Sequence, residues 1–285
     1  MSHSHHDIHL ERFTFGAGAT PIVLIHGVVH SRRAWDGVLE NLESTDGLNA
    51  TVYAINLPGH GESPNPQVVD GEDLAETIIR QLADLFTDIA DEHGSKPLLV
   101  GNSLGGYLAI ELARRGHGRG ALAFSPAGFF HNRADQLRTI YQFLALRGVA
   151  RLLRPILPTM ARFRVGRTLA MGMFSARPWA IPRDVVVRDS AGLLNNALID
   201  QALSVDFPFS VDANLAEHDT PTPTRCVCGT WDLTLIRGWH QHHRVLPAAE
   251  LATWPRVGHV TMFDAPKEVA EEIVEMATRL NRHGQ

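Results

Sequence analysis

The sequence has little cysteine and no long apolar run. Only Cys226 and Cys228 are present among 285 residues, and one intervening residue would hold them awkwardly on a strand for a disulfide. We therefore expect both to be buried, reduced core residues. No apolar run reaches the about 18 residues of a membrane-spanning helix, and Met1–His6 has no stretch that resembles a secretion signal. We expect a cytoplasmic protein without stable membrane insertion.

One stretch lacks lysine and glutamate altogether. Between Phe130 and Ser190 there are eleven Arg and three Asp, a net charge of +8, so the rest of the chain carries −13 to reach the total of −5. Such a segment is able to meet an acidic substrate or a membrane surface. The interpretation we favour is that its arginines pair with acidic residues elsewhere in the chain or are solvated.

Short apolar runs alternate with longer stretches of helical period, which is the pattern of a parallel sheet with crossover helices. The fold class is therefore α/β. Ile8–Phe15 alternates polar and apolar residues and predicts an antiparallel edge strand before the parallel set. The other predicted strands are Pro21–Ile25, Thr51–Ile55, Pro97–Val100, Gly120–Phe124, Thr224–Cys228 and Glu250–Trp254. The predicted helices are Glu72–Glu92, Leu104–Arg115 and Pro266–Leu280.

This alternation breaks between about Phe129 and Asp212 and resumes at Thr224. An insertion in a strand series belongs above the carboxyl ends of the strands, where open sheets bind ligands. We predict a core of residues 1–128 and 213–285 and a helical cap of residues 129–212. The amphipathic run Tyr141–Arg154 is expected to be a lid helix over the pocket rather than a membrane attachment.

A G-x-S-x-G motif, Gly101-Asn102-Ser103-Leu104-Gly105, stands at a junction of predicted strand and helix. Glycines on both sides of the serine permit a turn so sharp that the hydroxyl stands clear of the surface. The helix that follows offers free backbone N–H groups and a positive dipole end beside that hydroxyl. A glycine-flanked serine also occurs in plain turns, but the strand and helix favour Ser103 as a nucleophile.

A serine hydroxyl needs a base to take its proton, and the base needs a carboxylate to orient it. Of sixteen histidines, His259 is the best candidate because it lies in the loop after the last predicted strand. Asp232 comes just past the preceding strand, which gives the order Ser103, Asp232, His259 along the chain. Asp212 and Asp219 are rivals for the acid role, but they precede that strand and would lie at its amino end.

An oxyanion hole needs two donors, one from the residue after the nucleophile and one from an early strand-to-loop turn. The first is the Leu104 N–H. The second is expected from the loop opened by His26-Gly27-Val28, with the Val28 N–H as donor. We interpret His26 as a brace for this loop rather than as a catalytic base.

Together these motifs resemble the alpha/beta-hydrolase superfamily, capped branch, across nearly the whole chain. The motifs are the His26-Gly27 loop followed by Trp35, the Asn56–Gly61 turn, the Ser103 elbow, the acid in Gly229–Asp232 and the base in Gly258-His259. Asn56 stands where the family usually has Asp, but it lies in a structural turn. The resemblance implies a mostly parallel sheet with helices on both faces, a Ser-His-Asp triad and no cofactor or metal.

The resemblance favours an esterase-like enzyme that cleaves a carboxylic ester or thioester of a small to medium apolar substrate. The elbow is also similar to that of carbon–carbon bond hydrolases acting on diketone-like ring-cleavage products, although Val28–Arg32 lacks their glycine-rich loop. A ligand receptor with a slow triad is a further alternative. Ser103 argues against the dehalogenase and epoxide-hydrolase branches, which use Asp. We expect a small-molecule substrate as the partner and no nucleic acid. A homodimer is a further possibility for the oligomeric state.

Two histidine clusters invite a metal interpretation. His240-Gln241-His242-His243 is expected on an exposed helix, and His3, His5 and His6 on a disordered end. We expect a physiological metal at neither cluster.

Overall fold

The sheet of the protein has seven strands in the order β1-β3-β2-β4-β5-β6-β7. The computed structural model describes residues 8–45, 48–66, 68, 72–130, 132–196, 199, 209–211, 222–235 and 245–283. Within them the strands are β1 (Leu10–Phe15), β2 (Thr20–Ile25), β3 (Ala50–Ile55), β4 (Leu98–Asn102), β5 (Gly120–Phe124), β6 (Thr224–Gly229) and β7 (Glu250–Trp254). Strand β1 pairs antiparallel with β3, and every other pair is parallel. The predicted fold class and the antiparallel edge strand are confirmed.

The described helices come between and after these strands. They are α1 (Asp36–Glu43), α2 (Leu74–His93), α3 (Leu104–Arg114), α4 (Arg133–Leu153), α5 (Leu157–Met160), α6 (Arg164–Met171), α7 (Arg183–Asn195), α8 (Thr261–Asp264) and α9 (Pro266–His283), with short 3-10 turns at Arg32–Trp35 and Pro178–Ala180. All three predicted helices are confirmed. Helix α2 begins two residues later than predicted because the Asp73 carboxylate caps it, accepting from the Glu76 N–H at 2.8 Å.

Helices cover both faces of the sheet, which explains why strands β2, β4 and β5 are buried along their whole length. Side chains alternate between the faces, so Ile22 packs in one apolar cluster and its neighbour Val23 in the other. The first cluster includes α1 and α9, and the second includes α2 and α3. Burial on β6 confirms that Cys226 and Cys228 are free core residues, and it raises the pKa of Cys226 to about 12.

Among the described residues, the four helices α4 to α7 lie between β5 and β6. We call residues 133–195 the helical segment. Its buried residues, among them Ile140, Phe143 and Val186, join the apolar cluster on one face of the sheet. None of the described helices combines the length and the apolar character needed to cross a membrane.

Candidate active site

Ser103 lies at the sharp turn between β4 and α3 with φ 56° and ψ −116°, a backbone conformation that is strained for a residue with a side chain. The flanking glycines make this turn sterically feasible. A Cβ on Gly101 would lie 2.0 Å from the Gly105 carbonyl oxygen, and one on Gly105 would lie 2.1 Å from the Ile25 carbonyl oxygen. The sequence therefore folds here into a turn that only this glycine pattern permits.

A chain of two hydrogen bonds joins Ser103, His259 and Asp232. Ser103 Oγ is 2.9 Å from His259 Nε2, and His259 Nδ1 is 2.8 Å from Asp232 Oδ2. All three side chains are buried. The carboxylate accepts the Nδ1–H, which leaves Nε2 free to accept the serine proton. The three residues that the sequence placed in nucleophile, acid and base order are thus brought together in space.

The Asp232 carboxylate is held by its own loop. Its Oδ1 accepts from the backbone N–H groups of Thr234 at 2.8 Å and Leu235 at 2.9 Å. Burial acts to raise the pKa of this carboxyl, but the contact with His259 and the two backbone donors outweigh burial and lower the pKa below its ordinary value. The arrangement favours an ionised Asp232 beside the imidazole.

The loop after β2 runs beside Ser103, since a Cβ on Gly27 would lie 3.3 Å from the Ser103 Cβ. Val28 and Leu104 line one pocket together with Ser103. Leu104 is the first residue of α3, a position where the backbone N–H has no partner within the helix. The two predicted oxyanion donors therefore both belong to residues that line the same pocket as Ser103.

Two buried histidines brace that loop. The Leu57 N–H donates to His26 Nε2 at 3.0 Å, and His26 Nδ1 donates to the Gly27 carbonyl at 2.8 Å. His60 Nε2 lies 2.8 Å from the Val28 carbonyl oxygen. Burial lowers the pKa of both imidazoles, and neither reaches Ser103 through a described hydrogen bond. The interpretation of His26 as a brace agrees with this geometry, and His60 adds a second brace.

The pocket beside Ser103 is lined almost wholly by apolar atoms of the described residues, and its empty space, including the open solvent at its mouth, is about 480 Å³. The polar side chains among its described lining residues are Ser103, Thr139 and Thr234. The rest of the lining is Val28, Leu104, Ala127, Phe130, Ile140, Phe143, Phe209 and Leu235. Helix α4 supplies part of this lining, so the helical segment borders the pocket.

Sequence reasoning missed Asn102 and Asp264. The Asn102 amide donates to the Phe124 carbonyl at 3.0 Å and to the His259 carbonyl at 2.9 Å, which ties the elbow to the histidine loop. Buried Asp264 accepts from the Gly258 N–H at 2.8 Å. The sequence feature that could have pointed to Asp264 is its position between Phe263 and the start of α9.

Asn56 accepts from the Arg32 N–H at 2.8 Å in its turn and makes no described contact with Ser103. Several predicted residues lie outside the described residues: the acid rivals Asp212 and Asp219, and the clusters His240, His242, His243 and His3, His5, His6.

Known proteins share both the sequence pattern and the fold. The alpha/beta hydrolase family matches residues 22–272. The dihydrolipoyllysine-residue acetyltransferase component of the acetoin cleaving system of Pseudomonas putida is 26% identical over 91% of this chain, but the chain covers only 64% of that protein. Epoxide hydrolase EphH of Mycobacterium tuberculosis is 29% identical over 70% of this chain and 91% of its own length.

Two further proteins match nearly end to end. The pimeloyl-[acyl-carrier protein] methyl ester esterase of Nitrosomonas europaea is 27% identical over 92% of this chain and 96% of its own. A solved structure of a thermophilic esterase from Thermogutta terrifontis has a TM-score of 0.64 at 21% identity, covering 96% of this chain and 94% of its own. With the family pattern matched over most of its length, the chain belongs to the alpha/beta hydrolase family.

Proposed function

We propose that the protein is a serine hydrolase that cleaves a carboxylic ester or thioester of a small to medium apolar substrate through an acyl-enzyme. The observation that carries this proposal is the hydrogen bond of 2.9 Å between Ser103 Oγ and His259 Nε2 at the base of an apolar pocket. A nucleophile beside a base that is itself oriented by a carboxylate is the arrangement that acyl transfer requires.

In the first half of the reaction, His259 Nε2 takes the proton from Ser103 as Oγ bonds to the substrate carbonyl carbon. The carbonyl oxygen becomes an oxyanion, and the N–H groups of Leu104 and Val28 donate hydrogen bonds to it. Asp232 accepts the Nδ1–H of the resulting imidazolium, which stabilises its positive charge. The imidazolium then passes its Nε2 proton to the leaving alcohol or thiol as the ester bond breaks.

In the second half, water replaces the leaving group. His259 takes a proton from the water, whose oxygen attacks the acyl carbon bonded to Ser103 Oγ. The same oxyanion donors serve this step. Collapse of the intermediate releases the carboxylic acid, and the imidazolium returns its proton to Ser103.

The pocket lining supports an apolar acyl group or alcohol, because none of the described residues that line it offers a charged side chain to pair with a charged substrate. Thr139, Ile140 and Phe143 of α4 supply one wall. We infer that residues 129–212 act as the cap predicted from the sequence, with α4 as its lid helix.

The relatives differ in the bond that their names imply. The methyl ester esterase of Nitrosomonas europaea supports an ester substrate. The epoxide hydrolase of Mycobacterium tuberculosis suggests a different substrate. However, this chain has Ser103 at the predicted nucleophile position, where the resemblance implies Asp for the epoxide-hydrolase branch. We therefore assign the ester chemistry to this chain.

The test combines labelling with a panel of p-nitrophenyl esters. We expect an active-site-directed fluorophosphonate to label Ser103, and Ser103→Ala to abolish labelling and lower kcat/KM by about 10⁴-fold or more. Ser125→Ala is the matched control, since Ser125 is also buried, also has a positive φ (42°), and directly follows the adjacent strand β5.

Labelling elsewhere, or esterase activity that survives Ser103→Ala while thermal melting shows a folded variant, would refute the proposal. Rapid turnover of a vinylogous diketone without turnover of any ester would assign the protein to carbon–carbon bond hydrolysis instead.

A further inference from the structure

The helical segment carries most of the large apolar side chains that are exposed among the described residues. Of the thirteen large apolar side chains that are exposed among the described residues, nine lie between residues 141 and 179. A soluble protein normally buries such groups or scatters them singly. We call the exposed side chains of residues 141–179 together the outer helical surface.

Helix α4 is apolar on two sides. Ile140 and Phe143 point inward, where they are buried and line the pocket. Tyr141 and Leu152 are spaced by three helical turns on the opposite side and are 62% and 79% exposed. A helix that needed only to cover the pocket would carry polar residues on this second side.

Helix α6 also exposes apolar side chains. Val165 and Leu169, four residues apart on one face, are 71% and 69% exposed. They share a shallow surface groove with Trp179 and Arg164. Aromatic side chains of this amphipathic kind are enriched where protein meets the headgroups of a bilayer.

The charge on this surface has one sign. From Gln136 to Arg183 the chain has nine Arg and no Lys, Asp or Glu. Four of these, Arg151, Arg154, Arg162 and Arg164, are exposed, and within the described part of the chain they form no ion pair. These four agree with the second half of the expectation, that the segment's arginines either pair with acidic residues or are solvated.

We propose that the outer helical surface adsorbs to an anionic phospholipid bilayer. The exposed apolar side chains would enter the boundary between headgroups and acyl chains while the unpaired arginines contact lipid phosphates. A second copy of the chain fits this surface poorly, because a two-fold contact would bring two such positive faces together. This inference does not depend on the proposed hydrolysis.

The test is co-sedimentation with sucrose-loaded vesicles, either pure phosphatidylcholine or an equal mixture with phosphatidylglycerol. We expect the wild-type protein to bind the anionic vesicles and to be released by high salt. Glutamine at Arg151, Arg154, Arg162 and Arg164 together should lower the partition coefficient by roughly tenfold or more. The triple variant Leu152→Ser, Val165→Ser, Leu169→Ser should lower it similarly.

The matched control places glutamine at four exposed basic residues outside this surface, Arg33, Lys96, Lys267 and Arg282. It removes the same charge and should retain most of the binding. Every variant should keep the wild-type kcat/KM on a soluble p-nitrophenyl ester, so vesicle binding and hydrolysis are judged separately. Equal binding to both vesicle types, equal loss in the control, or a dimer that the triple variant dissociates would overturn the proposal.

Discussion

The sheet and the helical segment are held in place by different kinds of contact. Strands β2, β4 and β5 are buried from end to end, and apolar side chains from helices on both faces pack against them. The helical segment also contributes apolar residues to one of those faces, but its junctions with the core carry buried polar contacts. Its outer side exposes large apolar side chains and arginines to solvent.

Two buried carboxylates mark these junctions. Asp264 accepts from the Ser175 hydroxyl at 2.6 Å and from the Ala176 N–H at 2.8 Å, while it also accepts from the Gly258 N–H beside His259. Asp189 of α7 lies 3.0 Å from His30 Nδ1 in the loop after β2. Apolar burial thus determines the sheet, whereas a few directional bonds fix how the segment meets the candidate active site.

The largest expected effect on stability comes from adding a side chain at Gly105, where the turn after Ser103 packs against strand β2. In Gly105→Ala the new Cβ would lie 2.1 Å from the Ile25 carbonyl oxygen, so strand β2 or helix α3 must shift. We expect a loss of about 4 kcal/mol or more in the free energy of unfolding. Ester hydrolysis should fall by at least about 100-fold because Ser103 is displaced. Urea unfolding and kcat/KM measure the two effects.

The control for this prediction is Gly148→Ala in the helical segment. A Cβ there meets nothing within 4 Å, and Gly148 lies inside α4. Alanine should raise the free energy of unfolding by about 0.5–1 kcal/mol through helix propensity. If Gly105→Ala and Gly148→Ala changed the free energy of unfolding equally, the proposed difference between the tightly packed sheet and the helical segment would be wrong.

Asp264→Ala is expected to have the next largest effect. It leaves the buried N–H groups of Ala176 and Gly258 without their acceptor and loosens the junction from both sides. We expect a loss of about 4 kcal/mol in the free energy of unfolding and a lower kcat, because the loop of His259 loses its support. Asp36→Ala is the comparison, since its exposed pair with Arg33 should contribute about 1 kcal/mol or less. A loss no greater than that of Asp36→Ala would contradict the role of this junction.

Much of the sheet was predictable from local pattern. A strand covered on both faces reads as an unbroken apolar run, so the predicted strands end within two residues of the observed ones. The turn at Ser103 was equally predictable, because backbone clashes allow only glycine at positions 101 and 105. Chain order then singled out Asp232 and His259, which the structure places beside Ser103.

The junctions were not predictable in the same way. Ser175 and Asp264 are 89 residues apart, and His30 and Asp189 are 159 apart. Neither spacing leaves a local periodicity, because the partners meet only after the helical segment has folded onto the sheet. The boundaries of the cap stay a prediction for the same reason.

The pair of His30 and Asp189 sharpens the comparison further, with a smaller expected effect. Both side chains are buried, so the pair is shielded from solvent, and the rings of Phe174 and Phe263 flank the imidazole. A double-mutant cycle of His30→Ala and Asp189→Ala should give a coupling energy of about 1–3 kcal/mol. The exposed pair of Arg33 and Asp36 should give about 0.5 kcal/mol or less in the same cycle. Equal coupling energies would show that burial adds nothing at this junction.

The smallest expected effect is a pH dependence at Asp232, whose loop meets the helical segment where the Thr234 hydroxyl donates to the Met173 carbonyl at 3.2 Å. Burial acts to raise the pKa of Asp232, but His259 and the backbone donors of Leu235 and Thr234 together lower it by more. The net pKa therefore lies below the ordinary 3.8. The unfolded chain therefore binds this proton at a higher pH than the folded protein does. The stabilisation is present above about pH 4 and is lost as the pH falls through the folded pKa.

We expect the difference in the free energy of unfolding between the wild type and Asp232→Asn to narrow over that range. Thr234→Val, which keeps the backbone donor to Asp232, should show no such narrowing. A difference for Asp232→Asn that stayed constant down to pH 2.5 would mean that the hydrogen bonds around this carboxylate do not favour its ionised form.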